Sequence, residues 1–254
     1  MRLSRIYCTQ QLQPALRTGE AIRLDSRCHH YLFHVLRLRE GDTLTLFDGS
    51  GSDYTADIQI IDRKKTEVTL REVVNGKASL ESPLTTCLAL GVSKGDRMDY
   101  ALQKSVELGV NKIQPLITER VNVNRKGDRL EKKREHWLNV MISACEQTGR
   151  SVLPLLEPPL TYSLWLTSNK LSSDVDLGIV LKLDGEKLDS IVNNQSQINS
   201  ATLLVGPEGG LSSTEIQAAE QVGFKGVALG PRVLRTETAP VVALALLQNS
   251  LGDF

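Results

Sequence analysis

At 254 residues the chain is long enough for two domains, each with a core of its own. Charged residues make up 24% and apolar ones 41%, ordinary for a globular protein, and a formal net charge of zero excludes a uniformly basic or acidic chain. No apolar run could span a membrane, "MRLSRIYCTQ" lacks a signal-peptide core, and the four cysteines fit no CxxC or zinc spacing, so the reading is cytoplasmic, without membrane or metal.

Residues 1–75 read as β-rich. "GDTLTLFDG" alternates apolar and polar residues, "DGSGSD" supplies turn chemistry, and "YTADIQIIDRK" and "TEVTLREVV" continue in short period-two runs. Short strands parted by Gly and Asp turns predict a small barrel or compact sheet. Within "SRCHHYLFHVLRLREGD", Tyr31, His34, Val35 and Leu38 fall at helical spacing, predicting a short helix that ends by Gly41. His29, His30 and His34 are read as packing that helix. "NGKASLESP" is the linker candidate.

Beyond it strands alternate with helices. "LTTCLALGV" reads as a buried strand, and Asp96 is placed to cap a helix from Arg97 to Leu108. Met98, Leu102 and Val106 form the apolar stripe of that helix, and Gly109 suits its end. "VNKIQPLIT" is the next strand. A charged helix follows over residues 130–147, with Trp137, Met141, Ala144 and Cys145 on one side. "DLGIVLKL" and "ATLLVGP" complete a pattern that predicts a parallel sheet with helices on both faces.

"GLSSTEIQAAE" carries a helix start: Ser212 and Glu215 form a capping box, and Leu211 and Ile216 a hydrophobic staple. That places "GPEGG" in a strand-to-helix turn, where ligands collect in parallel sheets. "VALG" then ends in a second such loop, "PRVLRTETA", and a helix begins near Thr238 or Ala239 with Pro240 in its first turn. Gly206, Gly209 and Gly210 would let a ligand approach the backbone, although a tight turn would use them too. No GxGxxG or GK[ST] phosphate loop is present, which weakens any dinucleotide oxidoreductase reading. Arg232 and Arg235 beside Glu237 suit a site-lining loop, with a helix-terminal salt bridge as the structural alternative. The first 150 residues hold 24 Lys/Arg against 19 Asp/Glu and the remainder 6 against 11, which permits a basic face toward a polyanion.

The pair "LLVGPEGG" and "LGPRVLRTETA", with "HHYLFHVLRLREGD", "KGDRMDYALQKSVELGVNKIQPLITERV" and "CEQTGR", closely resembles the 16S ribosomal RNA uridine-N3 methyltransferase family of the SPOUT superfamily. The resemblance covers most of the chain. It implies an N-terminal PUA-like RNA-binding β-barrel over 1–75, a linker over 76–83, and a SPOUT α/β methyltransferase domain over 84–254 with a C-terminal trefoil knot. It also implies S-adenosylmethionine as cofactor, 16S rRNA in the small ribosomal subunit as partner, and a homodimer. Methylation of another RNA position, or a noncatalytic role in ribosome assembly, are the alternatives.

On the matching residues, the implied cofactor pocket comprises Leu204, Val205, Gly206, Pro207, Glu208, Gly209, Gly210 and Leu211, with Leu229, Gly230, Leu234, Thr236 and Thr238. Glu208 either balances a positive charge on the cofactor or accepts loop amides. Arg235 first, and Arg232 second, would stabilise charge on a uracil losing its N3 proton; Glu237 would take that proton or orient Arg235. Arg2, Arg5, Arg23, Arg37 and Arg39 are expected to contact RNA. Arg150, with Glu146 and Gln147, is expected at the substrate or a dimer interface, or at the end of the long helix behind Gly149. Lys104, Lys126, Arg129, Lys132, Lys133 and Arg134 form a second basic supply, with a solvated helix face as the alternative for Lys132–Arg134. The stretch 160–200 is read as structural. With aromatics at 4%, a stacking platform of the RRM type is not expected, and backbone charge should dominate RNA binding.

Overall fold

In the computed structural model the described residues are 3–74, 80–121, 127–168, 177–192 and 198–254. Arg2, Lys126 and part of the linker, 75–79, lie outside them, as does the side chain of Arg129. The chain divides into two units, Met1–Glu81 with Cys145–Leu153, and Ser82–Ala144 with Pro154–Phe254. The expected uninterrupted domain over 84–254 therefore gives up a short stretch to the first unit. The reason is local pairing: Ser50 bridges to Val152, and the Gly51 N–H donates to the Ser151 carbonyl at 3.1 Å.

The first unit contains β1 (Arg5–Tyr7), α1 (Leu12–Thr18), β2 (Ile22–Arg23), α2 (Ser26–His30), a π-helical stretch (Tyr31–Leu36), β3 (Thr43–Phe47), β4 (Asp53–Ile61) and β5 (Thr66–Val74). Its sheet order is β1-β3-β4-β5-β2, with β1 parallel to β3 and the other pairs antiparallel. Alternation along β3 buries Leu44 and Leu46 against Ile6, Tyr54, Ile58 and Val68. Two register shifts between β4 and β5 bend the ribbon around that core, giving a PUA-like half-barrel.

The helix after β2 departs from expectation. Asp25 caps α2 by accepting from the Cys28 N–H at 2.8 Å, as an N-cap carboxylate should. Cys28 and Leu32 are then fully buried, whereas Tyr31, His34 and Val35 are exposed. The stretch is π-helical and closes with the Arg37 N–H donating to the Leu32 carbonyl, five residues back. That wider turn carries Tyr31, His34 and Val35 away from the core, while Leu32 is buried in it and Leu38 packs against it.

The second unit contains β6 (Thr85–Gly91), α3 (Asp96–Glu107), β7 (Lys112–Ile117), α4 (Gly127–Thr148, whose last residues belong to the first unit), β8 (Leu155–Leu156), β9 (Leu160–Thr161) and α5 (Tyr162–Ser168). It continues with β10 (Leu177–Glu186), α6 (Leu188–Val192), β11 (Ser200–Val205), α7 (Ser213–Gln221), β12 (Lys225–Val227) and α8 (Thr238–Leu251). Among the described residues the strands run β12-β10-β11-β6-β7-β8, with β9 also beside β7, and every pair is parallel. Ala89, Val180 and Leu204 point toward Trp165, Ala219 and Phe224 of the α5–α7 side. Alternate residues such as Leu88 and Leu203 face the other way, and α8 packs on β11 and α3. Met98, Leu102 and Val106 are buried as the stripe requires, but Gly95, not Asp96, occupies the N-cap of α3. Asp96 lies in the first turn, where its charge still opposes the positive end of the helix.

Candidate functional site

Beyond the carboxyl ends of β10, β11 and β12 lies a cavity of about 510 Å³. The position follows from the parallel sheet, where backbone groups at strand ends face a shared crevice. Val205–Leu211 and the second loop, from Leu229 through Thr236, both line it. One bond ties the loops: the Thr236 hydroxyl donates to the Gly206 carbonyl at 2.8 Å. A side chain at Gly206 would bring its Cβ within 2.7 Å of the Leu211 nitrogen, so only glycine lets this turn close. Gly230 has φ +98°, a left-handed conformation that glycine adopts freely.

The first loop is anchored on its far side by the expected capping box. The Glu215 N–H donates to Ser212 Oγ at 3.2 Å, and the Ser212 N–H to Glu215 Oε2 at 2.9 Å. Glu215 Oε1 also accepts from the Glu119 N–H at 2.8 Å, and the Tyr162 hydroxyl donates to the Glu215 carbonyl at 2.6 Å. Burial first, and then the Glu215 charge, push the Tyr162 hydroxyl up to about 12. Leu211 is buried with Ile216 packed against its cluster, so the staple residues meet in one core.

Of the residues expected to hold a cofactor, Val205, Gly206, Pro207, Glu208, Gly209, Gly210, Leu211, Leu229, Gly230, Leu234 and Thr236 line the cavity. Leu204 is instead fully buried in the core, one residue before the strand opens, and Thr238 begins α8. Glu208 Oε1 accepts from the Lys94 N–H at 2.9 Å and lies 3.4 Å from Arg97. Burial would raise its pKa, but the amide bonds and the Arg97 and Lys94 charges outweigh that and lower it. Of its two expected roles, accepting loop amides is the one that the Lys94 bond matches.

Arg232 lines the cavity, and exposed Arg235 lies on the turn into α8, its carbonyl accepting from Thr238 and Ala239 at 2.9 and 3.0 Å. Glu237 Oε2 is buried with no hydrogen-bond partner, so no salt bridge joins that oxygen to Arg235. Other residues also line the cavity, Ile216 and Ala239 among them. Arg120 lines the cavity and donates to the Gly209 carbonyl at 3.0 Å; the loop after β7 offered no spacing to mark it. Leu181–Asp184, late in β10, also line the cavity, within a stretch read as structural. Lys182 there is already paired, 3.0 Å from Glu220 and 3.6 Å from Asp184.

In the first unit, Arg23, Arg37 and Arg39 are exposed, as an RNA contact requires. Arg5 is not. Its side chain is only 8% exposed and forms a forked pair with Asp53 at 2.8 and 3.0 Å while donating to the Cys145 and Arg150 carbonyls. Arg150 is likewise buried, holding Glu81 at 2.5 and 3.0 Å. Both guanidiniums are consumed within the unit, so their assignment to RNA is corrected to a structural role. Gly149 does end α4, with φ +90°, and Glu146 pairs with Arg27 at 2.9 Å. In the second unit Lys104 is paired with Glu107 at 2.8 Å and half-buried Arg134 with Glu131 at 3.0 Å. Among the described residues, no three His, Cys, Asp or Glu side chains gather into a metal-binding group, and no helix is long and apolar enough to cross a membrane.

The RNA methyltransferase domain family matches residues 80–248, and the RNA methyltransferase PUA domain family matches residues 30–71. Over 254 residues the chain is 36% identical to the ribosomal RNA small subunit methyltransferase E of Buchnera aphidicola subsp. Schizaphis graminum, covering 99% of this chain and 98% of that one. Among solved structures, a Legionella pneumophila protein in complex with bound SAM superposes with a TM-score of 0.90 at 37% identity, over 100% of both chains. A ribosomal RNA small subunit methyltransferase E from Neisseria gonorrhoeae, bound to S-adenosyl methionine, gives 0.86 at 36% identity, again over 100% of both.

Proposed function

The chain belongs to the ribosomal RNA small subunit methyltransferase E family, and from that premise we propose that it methylates N3 of one uridine in 16S ribosomal RNA. It is an S-adenosylmethionine-dependent ribosomal RNA methyltransferase. The observation that carries the reading of the site is the bond from Thr236 to Gly206, which brings both glycine-bearing loops to one cavity.

The cavity suits the cofactor. Its volume falls within the roughly 300–1,000 Å³ of small-molecule sites. Leu181, Val205, Leu211, Ile216, Leu229 and Leu234 offer apolar walls for a purine, and Gly206 leaves backbone within reach. Residues 205–211 and 229–236 would hold S-adenosylmethionine, which when bound supplies an electrophilic methyl group.

Uridine N3 carries a proton between two carbonyls, so its lone pair becomes a good nucleophile only as that proton leaves. The carboxylate of Glu237, at the N-cap of α8, would accept it. Negative charge spreads onto O2 and O4, where the exposed Arg235 guanidinium donates, with Arg232 assisting from the cavity wall. The N3–carbon bond forms as the carbon–sulfur bond breaks, leaving methylated uridine, a thioether and a protonated Glu237. Holding the two reactants in line contributes up to about 7–11 kcal/mol. The transferred methyl is already activated by its sulfonium, so the scheme includes no metal.

The remaining parts of the reading are a homodimer in the cytoplasm and a C-terminal trefoil knot. The exposed apolar side chains of Tyr100 on α3 and Leu246 on α8, 46% and 39% exposed, support the homodimer reading. The knot reading is supported by the return of the loop after β12 to Gly206 before α8 packs on β11. The test is methyl transfer from labelled S-adenosylmethionine to naked 16S rRNA and to assembled small subunits, followed by mass-spectrometric mapping. One N3-methyluridine is expected; label on a ribose or another base contradicts the proposal.

A further inference from the structure

Three of the four histidines, His29, His30 and His34, fall in one short stretch, and the reaction scheme uses none of them. Expected to pack a helix, His30 and His34 are in fact exposed, with ring centroids 4.9 Å apart. Phe33 meets His34 edge-on at 4.9 Å and stacks on His29 at 5.7 Å, so four rings form one continuous patch. Tyr31 and Val35 of the same stretch are exposed too, at 38% and 55%. An aromatic content of 4% leaves imidazoles uncounted, and so hides most of this surface.

The surroundings are basic. Arg37 and Arg39 are exposed where the π-helical stretch ends. On the other side His29 Nδ1 lies 2.9 Å from Thr66 Oγ1, and at that sheet edge exposed Arg23 reaches the Lys64 carbonyl at 3.5 Å. Most nearby carboxylates are already engaged. Asp25 holds Cys28 and Thr9, Asp42 the Arg39 N–H, Asp62 the Lys64 and Lys65 amides, and Glu67 the Lys65 ammonium; Glu40 is exposed.

Exposed rings bordered by arginines fit unpaired RNA bases, which stack on aromatic or imidazole faces while guanidiniums meet phosphate. We infer that His30, Phe33 and His34 form a stacking site for single-stranded bases of the RNA substrate. The inference rests on the reading of the chain as a ribosomal RNA methyltransferase and names part of its hold on that substrate.

The full chain carrying His30→Ala with His34→Ala is compared with one carrying His30→Tyr with His34→Tyr, using 16S rRNA. The alanine pair is expected to raise the KM for RNA about tenfold, and the tyrosine pair to return it to within about twofold of wild type. Affinity for S-adenosylmethionine stays unchanged in both. An unaltered KM in the alanine pair, or a tyrosine pair as weak as the alanine pair, overturns the inference. Direct binding of labelled single-stranded RNA to the same variants reads the rings without catalysis, so their failure is told apart from failure of methyl transfer in the wild-type chain.

Discussion

The loops after β11 and β12 and the arginines around β1 were both read as parts of a site, and they ended in opposite environments. Both loops line one cavity, joined by Thr236 and Gly206. Arg5 and Arg150 are buried on Asp53 and Glu81. The difference is one of information. A glycine in a strand-to-helix turn specifies its own backbone geometry, so its role is local and can be read from neighbours. An arginine has no role until its partner is known, and Asp53 and Glu81 lie far away in sequence from Arg5 and Arg150.

The largest effect should come from breaking the buried side of that comparison. Arg5→Ala strands Asp53 and is expected to cost about 3–5 kcal/mol in denaturant unfolding, with the dissociation constant for S-adenosylmethionine unchanged. If Arg5 touched RNA instead, stability would hold and the RNA KM would rise. At the turn into α8, Arg235→Ala should lower kcat about 10²–10³-fold, a loss of the size seen when a transition-state donor is removed. Calorimetry should find cofactor affinity nearly intact; weaker binding at equal turnover would remove Arg235 from its assigned role. Gly206→Val is expected to weaken the cofactor about ten- to a hundredfold, the cost of forcing a side chain against the Leu211 amide. Ser212→Ala should cost about 1 kcal/mol in unfolding, because the capping box loses one of its two bonds.

The smallest effect concerns Glu208. Its pKa is lowered in the folded chain, so the stability it adds is complete above the ordinary carboxylate value of about 4.3 and is lost as pH falls through the lower folded value. Cofactor affinity should therefore hold from about pH 8 to 5 and weaken only below that range. Weakening already near neutrality would place a different group in control.

Much of the second unit was legible because its signals are local. The capping box at Ser212, the stripe of Met98, Leu102 and Val106, and the two glycine-bearing loops all fall within a few residues of one another. What escaped depends on pairing across the chain. Arg120 reaches Gly209 from another strand end, and Leu181–Asp184 meet the loops only because β10 lies between β11 and β12. The face of the helix after β2 was misassigned for a different reason. A π-helical turn shifts which side chains face the core, and helical spacing assumes that no such shift occurs.

The most direct measurement is a crystal structure of the chain with S-adenosylmethionine. The account requires the ligand between Val205–Leu211 and the loop ending at Thr236, its methyl group open toward Arg235 and Glu237. A ligand bound at any other cavity, or one whose methyl faces away from that turn, would contradict it.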